Sequence, residues 1–224
     1  MTQPAPALAT VEVETGARPA GSVIWLHGLG ADGHDFEPAV PALVPAGARA
    51  LRFVFPHAPV RAVTLNGGAR MRAWYDILGF DRHVAQDELG VRASDSAIRT
   101  LIRRENERGI ATERIVLAGF SQGGAMALFT GTRLPQRLAG IVALSCYLLL
   151  DASFTAERDS ANQATPIFLA HGSFDAVVDP RLGEETRTRL EGAAYPVEWH
   201  SYPMPHAVCA EEIAAIGAFL QRVL

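Results

Sequence analysis

Ser121, at the centre of Gly119-Phe120-Ser121-Gln122-Gly123, is the residue whose sequence context most clearly indicates chemistry. The apolar run 115–118 before it is typical of a buried strand, and an apolar helical pattern follows it. A strand, Gly-x-Ser-x-Gly and then a helix form the context of a nucleophile elbow. Such a turn exposes the serine and brings the positive end of the helix close to developing negative charge. Ser121 is therefore predicted to be a nucleophile in acyl transfer, not an incidental serine.

A serine hydroxyl needs a base, and the base needs an acid to orient it. In proteins with this kind of nucleophile elbow, the acid and then the histidine follow the serine along the chain, each in a loop after a strand. Asp175 fits the acid, whereas Asp179 precedes Pro180 and is better explained as a helix cap. His206 fits the base, because it follows the strand-like run 197–202 and precedes the last helical pattern.

The segment 28–33 carries a Gly-x-Gly-x-x-Gly pattern, which raises the question of a dinucleotide site. The next apolar run, 51–55, is not followed by the acidic residue that such a site needs. The alternative is an oxyanion loop that starts at His27, with the N–H groups of Leu29 and Gln122 as donors. We favour the oxyanion loop, because only this interpretation also uses the serine.

The same segment holds four residues that could in principle bind a metal ion, namely His27, Asp32, His34 and Asp35. Their spacing matches no metal-binding motif, and such residues are common in turns, so no metal site is predicted. No cofactor is predicted either. The chain contains no lysine, which excludes Schiff-base chemistry and a Walker-type phosphate site.

Short apolar runs alternate with helical patterns, which predicts an α/β domain with a mostly parallel central sheet flanked by helices. The predicted strands are 9–14, 23–26, 51–55, 115–118, 141–144, 167–170 and 197–202. The predicted helices are one capped at 94–96 that ends at Gly109, and three others at 123–130, 179–190 and 211–223. The stretch 57–89 lacks a clear period and is long enough to be functional.

Composition restricts the class of protein. A chain of 224 residues with 49% hydrophobic residues suits one domain, 1–224. A net charge of −4 argues against a nucleic-acid partner. Two cysteines cannot form a disulfide framework, residues 1–10 do not resemble a secretory signal, and the longest apolar run, 146–150, is too short for a membrane span. We expect a soluble cytoplasmic protein without stable membrane anchoring.

In combination and in order, six segments resemble the phospholipase/carboxylesterase family of α/β-hydrolases, which includes small bacterial carboxylesterases and acyl-protein thioesterases. The likeness runs from about residue 23 to the C-terminus. The segments are Leu26-His27-Gly28-Leu29-Gly30, Asn66-Gly67-Gly68, Arg72-Ala73-Trp74-Tyr75-Asp76, Gly119-Phe120-Ser121-Gln122-Gly123-Gly124, His171-Gly172-Ser173-Phe174-Asp175 and Tyr202-Pro203-Met204 with His206.

The resemblance implies a triad of Ser121, Asp175 and His206, and an α/β-hydrolase fold without a large cap domain. It also implies that the region 57–80 lines the acyl pocket, with Trp74 near the active site. Pro205 departs from the glycine that many relatives carry before the histidine. Four apolar residues of the region are candidates either for this lining or for the core: Leu65, Met71, Leu78 and Phe80. A homodimer contact through exposed leucines at 148–150 is a further expectation.

The predicted function is hydrolysis of carboxylic esters with short to medium acyl chains through an acyl-enzyme. A thioesterase or a lysophospholipase would use the same site. An acyltransferase would share the acyl-enzyme and differ only in the acceptor, and a non-catalytic binding module is the alternative outside enzymes. The expected partner is a small ester or thioester substrate.

Overall fold

The computed structural model describes residues 8–45, 47–79 and 85–224, so the predicted lining residue Phe80 lies outside the described residues. Seven strands form one sheet, and two further strands form a separate hairpin. The sheet strands are β1 (Thr10–Glu14), β2 (Gly21–Leu26), β3 (Leu51–Pro56), β6 (Ile115–Phe120), β7 (Gly140–Leu144), β8 (Ile167–Gly172) and β9 (Val197–Tyr202). The hairpin strands are β4 (Val60–Val63) and β5 (Ala69–Arg72).

The sheet order is β1-β3-β2-β6-β7-β8-β9. Only the edge strand β1 runs antiparallel to its neighbour, β3, and every other pair in the sheet is parallel. The carboxyl ends of the parallel strands therefore meet at one edge. This architecture confirms the predicted mostly parallel sheet.

Six α-helices are present among the described residues, and they cover both faces of the sheet: α1 (Val40–Leu43), α2 (Glu88–Glu107), α3 (Gln122–Arg133), α4 (Asp151–Glu157), α5 (Pro180–Gly192) and α6 (Ala210–Val223). Helices α2 to α5 contribute to the core on one face, and α1 and α6 pack on the other. Every residue of β2, β3, β7 and β8 is buried, which explains why these strands read as continuous apolar runs. No helix in the described ranges has both the length and the apolar character needed to cross a bilayer.

The predicted start of helix α2 at residues 94–96 is wrong. The helix begins at Glu88, and the Asp87 side chain caps it by accepting a hydrogen bond from the Gly90 N–H at 2.9 Å. Ser94 lies inside the helix, where its buried hydroxyl donates to the Trp74 carbonyl. Aspartate is as good a capping residue as serine, and the cap at Asp87 was not identified from the sequence.

The predicted exposure of the leucines at 148–150 is also wrong. Leu148 and Leu149 are buried in the same core as Phe154 of helix α4, and Leu150 is half-buried. The chain folds back over the core after β7, which gives these side chains an intramolecular partner. They do not form the exposed apolar contact that a homodimer was expected to use.

Candidate active site

The turn between β6 and α3 holds Ser121 in a strained backbone conformation. Its φ of 55° and ψ of −120° are sparsely populated for a residue with a side chain. The flanking glycines allow the turn to close. A Cβ on Gly119 would lie 2.3 Å from the Gly123 carbonyl carbon, and one on Gly123 would lie 2.1 Å from the Leu26 carbonyl oxygen. The close approach of strand and helix therefore requires glycine at both positions.

The three predicted triad side chains come together although they lie far apart in sequence. The His206 Nε2 atom is 2.9 Å from Ser121 Oγ, and His206 Nδ1 is 2.6 Å from Asp175 Oδ2. Because a carboxylate only accepts hydrogen bonds, Nδ1 carries the ring proton and donates a hydrogen bond to Asp175. Nε2 is then free to accept the serine proton.

The loop after β8 holds Asp175 in place. The side chain of Asp175 is fully buried, and its Oδ1 accepts hydrogen bonds from the N–H groups of Val177 at 2.9 Å and Val178 at 2.8 Å. These two bonds leave Oδ2 directed at the imidazole of His206. Asp179 instead caps α5 by accepting from the Arg181 N–H at 2.9 Å, as the sequence predicted.

His206 lies in the short connection between β9 and α6. A Cβ on Gly172, at the end of β8, would lie 2.4 Å from the Met204 carbonyl oxygen and 2.5 Å from that of Pro205. The absence of a side chain at Gly172 therefore lets the histidine loop pack onto the sheet edge. The Phe120 ring packs against the imidazole, with 4.7 Å between ring centroids.

The two predicted oxyanion donors belong to the helix that follows the serine and to the glycine loop after β2. Gln122 is the first residue of helix α3, so its N–H has no acceptor within the helix. The glycine loop approaches from β2: a Cβ on Gly28 would lie 3.3 Å from the Phe120 ring and 3.5 Å from Ser121 Cβ. Leu29 follows directly, and the next residue, Gly30, has a φ of 78° and donates its N–H to the Arg72 carbonyl at 2.9 Å.

Trp74 was expected to line the substrate pocket, but its side chain is completely buried. Its indole N–H donates to the His27 carbonyl at 2.9 Å, and its backbone N–H donates to Gln122 Oε1 at 2.8 Å. The Gln122 side chain also donates to the Tyr75 carbonyl at 2.7 Å. Trp74 and the Gln122 amide thus join the glycine loop, the elbow and the segment after β5. Nothing in the local sequence indicates these long-range bonds.

Three lining candidates keep accessible surface. Leu65 and Leu78 are exposed, and Met71 is half-buried. The Met71 sulfur lies beside the glycine loop, 3.7 Å from where a Cβ on Gly30 would be. Leu78 lines a cleft of about 310 Å³. Tyr75 also lines this cleft, and its carbonyl accepts a hydrogen bond from the Gln122 side chain.

The cleft is lined by both apolar and polar residues. Besides Leu78, its apolar lining includes Ile77, Tyr147, Leu148 and Leu182, and its polar lining includes Asp151, Glu185 and Arg189. The Tyr75 and Tyr147 hydroxyls meet at 3.1 Å. Burial raises the pKa of both tyrosines, so both remain neutral hydroxyls.

Three of the four residues considered for a metal site have other hydrogen-bond partners. The His27 ring bonds to backbone groups, the His34 ring contacts Glu37 at 2.7 Å, and Asp32 accepts from the His34 N–H at 2.8 Å. Within 8–45, 47–79 and 85–224, no group of three or more metal-ligating side chains converges.

The chain is similar to known proteins over nearly its whole length. Residues 8–224 match the family model described as Phospholipase/Carboxylesterase. The chain is 42% identical to acyl-protein thioesterase 1 of Neurospora crassa over 93% of this chain and 89% of that protein. It is 38% identical to acyl-protein thioesterase 1 of Mycosarcoma maydis over 96% and 95%.

Solved structures share the fold. Arabidopsis thaliana SOBER1 superposes with a TM-score of 0.85 at 29% identity, covering 91% of this chain and 98% of that one. Zea mays acyl-protein thioesterase 2 gives 0.85 at 25% identity, covering 96% and 98%. The match to the family model and the identities over nearly the whole chain assign this protein to the phospholipase/carboxylesterase family of α/β-hydrolase enzymes.

Proposed function

We propose that this protein hydrolyses acyl thioesters and related carboxylic esters, with Ser121, His206 and Asp175 as its catalytic triad. The observation that carries the proposal is the continuous chain of contacts from Ser121 Oγ to His206 Nε2 at 2.9 Å and from His206 Nδ1 to Asp175 Oδ2 at 2.6 Å. This is the geometry in which a histidine removes the serine proton while a carboxylate holds its tautomer.

The reaction proceeds through an acyl-enzyme. Ser121 Oγ attacks the acyl carbonyl carbon as its proton passes to His206 Nε2, and the carbonyl oxygen becomes an oxyanion between the N–H groups of Leu29 and Gln122. Collapse breaks the bond to the thiol or alcohol, which leaves with the proton from His206. Water then attacks the acyl-enzyme with His206 as base, and this releases the carboxylic acid and the free serine.

Thioesters come first among the substrates because the relatives at 42% and 38% identity are named acyl-protein thioesterases. The sequence alone had instead favoured simple carboxylic esters over thioesters as substrates. For the acyl chain we propose the cleft beside Tyr75 and Leu78, because the segment that forms its wall is bonded to the Gln122 side chain. Met71, next to the oxyanion loop, would contact the chain near the carbonyl.

The test of the nucleophile compares Ser121→Ala with Ser145→Ala. Ser145 is a matched control: it follows the neighbouring strand β7, is buried, and also has a positive φ, 46°. Its hydroxyl has no hydrogen-bond partner among the described residues. Ser121→Ala should lower kcat by several orders of magnitude, as loss of a triad serine does in other hydrolases. Ser145→Ala should stay close to wild type. Equal activity in both variants would refute the triad.

The substrate class is tested with pairs that share one acyl chain and differ only in a thioester or an oxygen-ester link, for chains from acetyl to palmitoyl. A higher kcat/KM for the thioester at each length supports the thioesterase assignment. A preference for oxygen esters with short chains would restore the carboxylesterase interpretation. Product analysis with an added alcohol or thiol distinguishes hydrolysis from acyl transfer.

A further inference from the structure

The His27 imidazole is held in one tautomer by two backbone groups. The side chain is buried, with Nε2 3.0 Å from the Ala58 nitrogen and Nδ1 2.6 Å from the Gly28 carbonyl oxygen. A backbone N–H can only donate, so Nε2 must be the unprotonated acceptor from Ala58. Nδ1 therefore carries the ring proton and donates a hydrogen bond to the Gly28 carbonyl oxygen. Burial lowers the pKa of His27, which keeps the ring neutral.

The Gly28 carbonyl belongs to the same peptide unit as the Leu29 N–H. In a planar trans peptide the C=O and N–H bonds point in opposite directions, so fixing one fixes the other. Because residue 28 is a glycine, its backbone offers little steric resistance to rotation of this peptide. The Ala31 N–H also donates to the Gly28 carbonyl, but at a longer distance of 3.3 Å. The short bond from the His27 ring is thus a strong restraint on the direction of the Leu29 N–H.

We propose that His27 is a positioning residue for the oxyanion hole: its Nδ1–H holds the Gly28 carbonyl back so that the Leu29 N–H points at the oxyanion formed on Ser121. This inference rests on the proposed function and goes beyond it, because it assigns a role to a side chain that touches no reacting atom. The Trp74 indole N–H, which binds the His27 carbonyl at 2.9 Å, anchors the same residue from its backbone.

Two variants separate the two bonds of the ring. In His27→Asn the side-chain amide can still donate from near the Nδ1 position to Gly28, but it does not reach Ala58. In His27→Gln the longer side chain can accept from Ala58 near the Nε2 position, but it no longer donates to Gly28. Each variant loses one buried hydrogen bond, so their thermal unfolding temperatures should be similar, while their effects on catalysis should differ.

We expect His27→Gln to lower kcat by about 10²-fold or more with little change in KM, as loss of one oxyanion donor does. His27→Asn should keep kcat within about tenfold of wild type by the same criterion. A trifluoromethyl ketone, which forms a tetrahedral oxyanion on the serine, should bind His27→Gln more weakly by a factor similar to the loss of kcat. Equal kcat in the two variants, or a change confined to KM, would overturn the role.

The tautomer of the His27 ring can be measured in the wild-type protein, so this test does not depend on whether a variant folds. The ¹⁵N chemical shifts of the His27 ring should report a protonated Nδ1 and an unprotonated Nε2 at neutral pH, and the opposite tautomer would refute the proposal.

The Ser121→Ala variant separates a failure of the His27 role from a failure of the proposed function. If Ser121→Ala abolishes activity while His27→Gln keeps the kcat of the wild type, only the role of His27 fails. If Ser121→Ala remains active, the proposed function itself fails.

Discussion

At the scale of single residues, the candidate triad could be predicted from the sequence because each member follows a strand of a parallel sheet. Such strands bring their carboxyl ends to one edge, so Ser121, Asp175 and His206 meet although 85 positions separate the first from the last. The supporting bonds could not be predicted. Those that link Trp74 to Gln122 and Ala58 to His27 span 48 and 31 positions and depend on the packed loops.

The proposed role of Asp175 leads to a prediction for Asp175→Asn. An amide that donates to Nδ1 of His206 would leave the proton on Nε2, the wrong tautomer for a base. We expect kcat to fall by about 10⁴-fold, the loss known for the same change in a serine protease triad. Asp179→Asn is the matched control, because asparagine also caps helices well. It should keep its turnover, and a similar loss of kcat in both variants would contradict the assignment of the acid.

At the scale of elements, hydrophobic patterns identified the sheet strands and the last helices to within a few residues, since burial on both faces leaves a continuous apolar run. Errors arose where two local signals competed or where the chain returned over the core. Asp87 caps α2 ahead of Ser94, and Leu149, in the segment that follows β7, is buried in the core. Neither outcome depends on the local residues alone.

The contact between β8 and the histidine loop gives a prediction for Gly172→Ala. The new methyl group would lie 2.4 Å from the Met204 carbonyl oxygen, so the loop that carries His206 must move. Displacing a catalytic group by about 1 Å costs about 10²-fold in rate, and we expect kcat to fall by that order. Gly192→Ala, at the end of α5 with nothing within 4 Å, is the control and should keep both activity and stability. Unchanged kcat in Gly172→Ala would show that the loop is not held by this contact.

At the scale of the whole molecule, one buried carboxylate couples the stability of the fold to pH. Glu212 lies in the first turn of α6, the helix that follows the histidine loop, and none of its side chain is exposed. Neither carboxylate oxygen has a hydrogen-bond partner of good geometry in the part of the chain that the structure describes. Burial raises the pKa of Glu212 from 4.5 to about 8, and the Cys209 backbone N–H offsets only part of this effect.

The sign of the effect follows from proton binding. Between pH 4.5 and about 8 the folded protein keeps the Glu212 proton while the unfolded chain has lost it. The free energy of unfolding should therefore fall as the pH rises, with a slope that approaches about 1.4 kcal/mol per pH unit from this group. Below pH 4.5 the Glu212 carboxyl no longer makes the free energy of unfolding depend on pH, because it is protonated in both the folded and the unfolded state.

Glu212→Gln removes the ionisable group and keeps its size, so its stability relative to wild type should grow steadily from pH 5 to pH 8 and then level off. Denaturant unfolding at each pH measures this difference. Glu211→Gln, the exposed neighbour, removes the same charge from the same helix turn and should show no such growth. Parallel curves for wild type and Glu212→Gln across this range would mean that the carboxylate reaches water or a donor in the folded protein. In that case the Glu212 carboxylate would not lower the free energy of unfolding as the pH rises from 5 to 8.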